Sequence, residues 1–149
     1  MDTYVKELRK RTRETGHEFI FAIGLATGKQ KTCWSEGDNK TCHLSRPLTK
    51  EKLRIVHSHP CQDLTFSAKD VNLLLDSQVL EIEVVCFQSR YLLTRPDSFM
   101  AGLYDDFAIN SALDIKETKS DSIRANKTRI RAINLLCEKF GWTFSKLEG

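Results

Sequence analysis

The chain has 149 residues and a mass of 17.1 kDa, with 23 Lys and Arg against 20 Asp and Glu, which gives a net charge of +3. This length fits one domain and excludes large catalytic scaffolds such as an α/β barrel of about 250 residues. A composition with 40% hydrophobic and 29% charged residues excludes the disordered and fibrous classes. We therefore expect a single domain over residues 1–149, with any active site encoded in a compact stretch.

The first half of the chain predicts one helix followed by two strands. Residues 3–15 carry apolar side chains at helical spacing, and Gly16 is a typical helix stop. Residues 18–26 form a dense apolar run that is too short for a typical helix and indicates a buried strand. Residues 27–50 are rich in turn residues and indicate a loop or hairpin with at most a short strand. Residues 52–59 alternate, which places four side chains on one face of a strand: Leu53, Ile55, His57 and His59.

The middle of the chain predicts a helix and a hairpin. Residues 67–77 have helical spacing, and Ser67 is a typical N-cap. Residues 79–88 and 90–95 read as two strands that are joined by a tight turn at Ser89.

The last third predicts helices. Residues 99–115 are weakly helical, and residues 121–140 have a stronger apolar stripe made of Ile123, Ile130, Ile133, Leu136 or Cys137, and Phe140. We therefore expect residues 97–149 to form closing C-terminal helices. The whole order predicts an α/β (α+β) fold with a small mixed β-sheet flanked by helices.

The stretch His57-Ser58-His59-Pro60, followed by Asp70, is the strongest candidate for chemistry. Two imidazoles two residues apart on one strand face can reach the same point, and a carboxylate on the following helix can return to it. Two nitrogens and one oxygen, with a fourth position left to water, are the ligands of a catalytic zinc site. The simpler alternative is a pair of partly buried polar side chains. Ser67 and Asp70 could likewise form only a capping box.

The string HSHP, with Ser67 and Asp70 downstream, resembles the motif of the JAMM (MPN-plus or JAB) zinc metalloproteases, in which H-x-H-P is followed by S-x-x-D. The order of elements over roughly residues 3–95 is also similar, whereas residues 97–149 match only loosely. The resemblance implies a JAMM/MPN (cytidine deaminase-like) domain that binds one catalytic Zn²⁺ ion.

The resemblance also implies a role for each residue of the motif. His57, His59 and Asp70 would bind the zinc ion, and Ser67 would donate a hydrogen bond to the oxyanion of the intermediate. The family needs an upstream glutamate that acts as general base and then general acid. Glu18 is our choice, because it precedes an apolar run that ends in a glycine, as in the family. The competing glutamates are Glu14, Glu36 and Glu51.

The serine after His57, and the lack of a glycine pair after Pro60, resemble the isopeptidase and deubiquitinase branch. The implied activity is a zinc-dependent metallo-isopeptidase or peptidase. It would hydrolyse amide bonds after the C-terminal glycine of ubiquitin-like proteins, with a zinc-activated water as nucleophile. The substrate partner would be a ubiquitin-like protein or its conjugate, as for stand-alone prokaryotic members. The alternatives are a zinc-free scaffold that binds a partner protein, and a DNA-associated protein of the JAB branch.

The cysteines and termini bear on the cellular setting. The five cysteines are odd in number and irregularly spaced, and the first residues carry no apolar signal segment. These features favour free thiols in a reducing compartment and predict a cytoplasmic protein. No apolar run of about 20 residues occurs, so no membrane partner is expected.

The cysteines also allow two alternatives to free thiols. One is a second zinc site that would use Cys33, Cys42, His43 and Cys61. The other is a disulfide between Cys61 and Cys86.

A basic cluster near the C-terminus raises the question of a nucleic-acid partner. It consists of Arg124, Lys127, Arg129 and Arg131. No nucleic-acid-binding motif accompanies these residues, so a solvated helix face is the simpler interpretation and no nucleic acid is expected. The same cluster could steer an acidic protein partner.

Overall fold

The computed structural model describes residues 3–38, 43–44, 47–98 and 122–148. These residues form a mixed α+β arrangement with a six-stranded sheet and three helices, which confirms the predicted class. The elements are α1 (Tyr4–Thr15), β1 (Phe19–Gly24), β2 (Ser35–Glu36), β3 (Leu53–Ser58), α2 (Ala68–Asn72), β4 (Val79–Val85), β5 (Arg90–Thr94), α3 (Ser122–Phe140) and β6 (Thr143–Glu148). A 3₁₀ turn at Leu73–Leu75 extends α2. No helix in these ranges is long and apolar enough to cross a bilayer.

The strands lie in the order β2-β1-β3-β4-β5-β6. Strands β3 and β4 are parallel, and α2 lies in the connection between them, as parallel pairing requires a crossover. The other neighbouring strands in the described sheet are antiparallel. In this register His57 lies opposite Ile20 on β1 and Val84 on β4, so it occupies the centre of the sheet.

Helix α1 covers one face of the sheet. It ends where predicted, at Gly16, which adopts the left-handed conformation (φ 69°) that glycine reaches without steric cost. Its apolar stripe buries Val5 and Leu8 against side chains of β1 and β3, including Phe21 and Val56. Burying a side chain such as Leu8 contributes about 1.5–3 kcal/mol.

The opposite face holds the larger hydrophobic cluster, which α2 and α3 cover. Ile55 of β3, Ile82 of β4 and Ile133 of α3 are fully buried members of it. His57 shares this face because strand side chains alternate, and its ring packs against Phe66. The candidate residues therefore lie on the side of the sheet that faces α2 and α3.

The C-terminal prediction is partly wrong. Ser122–Phe140 do form a helix, but Thr143–Glu148 form strand β6, which pairs with β5. Gly141 ends the helix with φ 72°, and Phe144 then stacks on Tyr91 of β5, which favours strand pairing over more helix. Ile123, predicted in the buried stripe, is 69% exposed. The predicted helix at 99–115 lies outside the described residues.

Candidate metal centre

Strand β3 brings two histidines to one point at its C-terminal end. His57 is the penultimate residue of the strand and is only 2% exposed. His59 follows the strand and is also buried. Their Nε2 atoms lie 3.2 Å apart, so the two rings converge as the alternation predicts.

Asp70 completes this cluster from the first turn of α2. Its Oδ2 lies 3.1 Å from Nε2 of His57 and 3.4 Å from Nε2 of His59. The same oxygen accepts a hydrogen bond from the backbone N–H of Ser67, and Ser67 Oγ accepts one from the backbone N–H of Asp70. The predicted capping box is therefore present, and it fixes the position of the Asp70 carboxylate.

A backbone carbonyl determines which nitrogen of His59 carries hydrogen. Nδ1 of His59 lies 2.8 Å from the carbonyl oxygen of Leu64, which can only accept, so Nδ1 donates. In the neutral ring Nε2 then has a free lone pair that points at His57 and Asp70. His57 has no comparable anchor in the described part of the chain, because its buried Nδ1 has no hydrogen-bond partner there. Packing against Phe66 and His59 holds this ring instead.

The close contact of the imidazoles with the carboxylate shifts the pKa values of His59 and Asp70 in opposite directions. Burial by itself would lower the pKa of His59, but hydrogen bonds and charge at Asp70 and Cys86 raise it to about 10. Burial alone would raise the pKa of Asp70, but the His57 and His59 rings hold it well below its usual value. One carboxylate and two imidazoles are thus placed so that they could hold a metal ion between them.

The geometry of the three atoms fits zinc. Ligands about 2.0–2.1 Å from a tetrahedral zinc ion lie roughly 3.3–3.4 Å from one another. The separations here are 3.1, 3.2 and 3.4 Å among His57, His59 and Asp70. The donor types are also those of catalytic zinc sites, which combine imidazoles and a carboxylate and keep one position open.

Glu18 lies beside this cluster. Its Oε1 is 3.8 Å from Nε2 of His59, and the residue is buried. It is held there because Ser58, between the two histidines, accepts a hydrogen bond on Oγ from the backbone N–H of Phe19. Thr12 of α1 donates to the same Oγ, which locks the start of β1 against the end of β3.

The competing glutamates have other surroundings. Glu51 forms an ion pair with Lys31 at 2.6 Å. Its carboxylate lies directly over Gly24, the last residue of β1, where a larger residue would place its Cβ atom. Glu36 pairs with His17, and Glu14 is exposed on α1. Of the four candidate glutamates, Glu18 is the one whose carboxylate contacts the histidine pair.

A groove of about 510 Å³ opens beside the cluster. Its lining includes Glu18, His57, Ser67 and Asp70. Its remaining walls combine apolar side chains of β1, β3 and the start of β4 with polar side chains of α2; they include Ile20, Leu53, Ile55, Val79, Lys69 and Asn72. Ser67 Oγ accepts from the N–H of Asp70, and its own hydroxyl hydrogen has no acceptor in the described chain. The hydroxyl is therefore available to a molecule in the groove.

The cysteine alternatives have different outcomes. Cys33 is exposed, and Cys42, which the second zinc set suggested by the sequence would need, lies outside the described residues. Cys61 and Cys86 are free thiols. Their sulfur atoms nevertheless lie within 4.8 Å of each other and of a ring nitrogen of His59. Contact between the two thiols lowers the pKa of Cys86 and raises that of Cys61.

The basic cluster on α3 combines exposed side chains with one that contacts a loop beside the candidate centre. Arg124, Lys127 and Arg131 are exposed, but Arg129 donates from Nη1 to the backbone oxygen of Thr65, 3.0 Å away. Thr65 belongs to the loop between His59 and Asp70. Neither this contact nor the role of the Leu64 carbonyl is predictable from the sequence, because a backbone acceptor and a distant helix leave no motif.

No protein-family model, curated protein or solved structure matches the chain.

Proposed function

We propose that this protein is a zinc-dependent metallo-isopeptidase or peptidase of the JAMM type. Its substrates would be ubiquitin-like proteins or their conjugates, cleaved at the amide bond after the C-terminal glycine, in the cytoplasm. The observation that carries the proposal is the convergence of His57 Nε2, His59 Nε2 and Asp70 Oδ2 within 3.1–3.4 Å of one another, with Glu18 alongside. We assign His57, His59 and Asp70 as ligands of a single zinc ion.

The remaining residues have the properties that amide hydrolysis needs. A bound zinc ion supplies Lewis acidity and a water activated near neutral pH. Glu18, whose Oε1 lies 3.8 Å from Nε2 of His59, would accept a proton from the attacking water and return it to the leaving amine. The Ser67 hydroxyl can donate to the carbonyl oxygen as that oxygen becomes negatively charged. The water oxygen would bond to the carbonyl carbon, and the C–N bond would then break as the nitrogen takes up the proton, which leaves a carboxylate and a free amine.

The groove supports a polypeptide substrate. Its volume lies within the range of about 300–1,000 Å³ that is usual for ligand pockets, and its floor is apolar at Leu53, Ile55 and Val79. Such a surface suits a peptide segment next to the scissile bond, with Ser67 and Glu18 at the reacting end.

Metal content and cleavage together test this function. The protein is purified without added metal, its zinc is measured by mass spectrometry, and it is incubated with ubiquitin and prokaryotic ubiquitin-like proteins that carry a fluorogenic amide on the C-terminal glycine. We expect about one zinc ion per chain, and cleavage that a chelator abolishes and added zinc restores.

The same experiment separates the alternatives. Absence of zinc at equimolar level would contradict the proposal and favour a scaffold that binds a partner protein. Zinc binding together with salt-sensitive DNA binding and no cleavage of any ubiquitin-like substrate would favour the DNA-associated alternative.

A further inference from the structure

Helix α3 contacts the loop between the candidate ligands through two side chains one turn apart. Asn126 accepts on Oδ1 from the backbone N–H of Thr65 at 2.8 Å, and Arg129 donates to the backbone oxygen of the same residue at 3.0 Å. Thr65 is fully buried, so water does not satisfy these backbone groups. A helix about 60 residues away in the sequence thus holds both polar backbone groups of one loop residue.

We propose that Asn126 is a positioning residue for His59 and acts through the peptide group between Leu64 and Thr65. This inference rests on the proposed metal centre. The carbonyl of Leu64 accepts from Nδ1 of His59 at 2.8 Å, and the N–H of Thr65 donates to Asn126. These two groups belong to the same peptide unit, which is planar and rigid. Moving one end of the unit therefore moves the other.

The orientation of the Asn126 side chain is determined by a second set of hydrogen bonds. Its Nδ2 donates to the hydroxyl oxygen of Tyr91 at 3.3 Å, and that hydroxyl donates to Oδ1 of Asp63 at 2.5 Å. Ser89 donates to the same carboxylate oxygen at 2.6 Å. The N–H of Thr65 needs an acceptor, and the Tyr91 hydroxyl, which donates to Asp63, accepts from the amide. Both needs are met only when Oδ1 of Asn126 faces Thr65 and Nδ2 faces Tyr91. Because Asn126 is only 6% exposed, this arrangement has little access to water.

The consequence for His59 is both geometric and electronic. Asn126 holds the Leu64 carbonyl in place through the shared peptide unit. This carbonyl keeps the hydrogen of His59 on Nδ1 and leaves the Nε2 lone pair for the ligand position. Hydrogen bonds in a chain polarise one another, so the bond from Thr65 to Asn126 strengthens the Leu64 carbonyl as an acceptor. We therefore expect metal affinity to depend on Asn126 although Asn126 contacts neither the metal ligands nor the groove.

Three variants of the full chain test the inference without any substrate. Asn126→Ala removes the acceptor, and Asn126→Asp keeps an acceptor for Thr65 but loses the donor to Tyr91. Asn134→Ala makes the same substitution at an exposed position of α3 and is the matched control. Zinc affinity is measured by competition with a chromophoric chelator, and the visible spectrum of the Co²⁺-substituted protein reports the geometry of the ligands.

We expect Asn126→Ala to weaken zinc binding roughly tenfold, at the low end of the range for outer partners of ligating histidines, and to alter the Co²⁺ spectrum. Asn126→Asp should stay within about threefold of the wild type, although it is also destabilised, because the Thr65 N–H keeps its acceptor. Asn134→Ala should bind as the wild type does. A purely structural role predicts instead that affinity follows the loss of stability in both Asn126 variants.

Equal zinc affinity in Asn126→Ala and the wild type, or equal losses in both Asn126 variants, would overturn the inference. If Asn126→Ala does not fold, Tyr91→Phe decides, because it releases the amide but keeps the ring: a loss of about threefold supports the role, and wild-type affinity overturns it. Zinc binding with the expected variant pattern but no peptidase activity would overturn the proposed function alone. A wild-type protein without affinity for zinc would overturn both.

Discussion

Oδ2 of Asp70 lies 3.1 Å from Nε2 of His57, and this same oxygen also caps the helix in which Asp70 stands. The sequence left two interpretations of Ser67 and Asp70 open, a helix cap and a part of a metal site. The geometry makes them compatible, because one carboxylate oxygen accepts from the backbone and faces the histidines at once. The start of α2 therefore determines how Asp70 is presented to His57.

Removal of His57 should remove the metal. We expect His57→Ala to weaken zinc binding by at least about 100-fold, more than the loss of an outer partner causes, because a ligand atom itself is lost. Zinc content after dialysis against a weak chelator measures this. His17→Ala is the control, since His17 pairs with Glu36 on a half-exposed surface. Full zinc retention by His57→Ala would exclude it from the ligand set.

Glu18 should be needed for turnover and not for metal binding. Because Glu18 lies 3.8 Å from Nε2 of His59, outside the ligand atoms, Glu18→Gln should keep about one zinc ion per chain. Loss of a general acid–base should lower kcat by about 10²–10⁴. Glu36→Gln should behave as the wild type. Unchanged kcat in Glu18→Gln would contradict the assignment of the base.

Ser67 serves as helix cap and as candidate oxyanion donor, and two substitutions separate these roles. Ser67→Ala should lower kcat by about 10²–10³ and cost about 1 kcal/mol of unfolding free energy. Ser67→Gly should lower kcat equally but cost only a few tenths of a kcal/mol, because glycine is tolerated at this position. Steady-state kinetics and urea unfolding of both zinc-loaded variants provide the comparison. If kcat follows stability, Ser67 only caps the helix.

A buried ion network on the other face of the sheet should control stability and leave the site unaffected. Glu83 is fully buried and accepts from Tyr4, Arg54 and Arg90 at 2.6–3.1 Å. Glu83→Ala leaves two largely buried guanidinium groups with fewer partners, so we expect a loss of about 3–5 kcal/mol in urea unfolding.

The control for this network is Glu81→Ala, which removes the other, partly exposed partner of Arg54 and should cost less. Zinc affinity should be unchanged in both folded variants, because the network faces α1 and His57 faces the opposite side. A loss below 1 kcal/mol for Glu83→Ala would show that the network does not stabilise the fold.

Local sequence signals predicted most elements. The helix before Gly16, the alternating strand that contains His57, and the cap at Ser67 each depend on short-range physical preferences that a single segment displays. The sequence does not predict strand β6, because its side chains do not alternate between buried and exposed positions. The strand forms by pairing with β5. Such pairing is a long-range contact, which a local pattern does not contain.

The sequence by itself determined the residue types of the candidate centre and the shared strand face of His57 and His59, because alternation is a local property of the backbone. It also indicated Asp70 through a cap that spans one helical turn. Only the tertiary structure decided that Glu18, rather than another glutamate, lies beside His59, because hydrogen bonds across β1, β3 and α1 join residues far apart in the chain. The link from Asn126 to the Leu64–Thr65 peptide is of the same kind, since packing of α3 creates it and no motif encodes it.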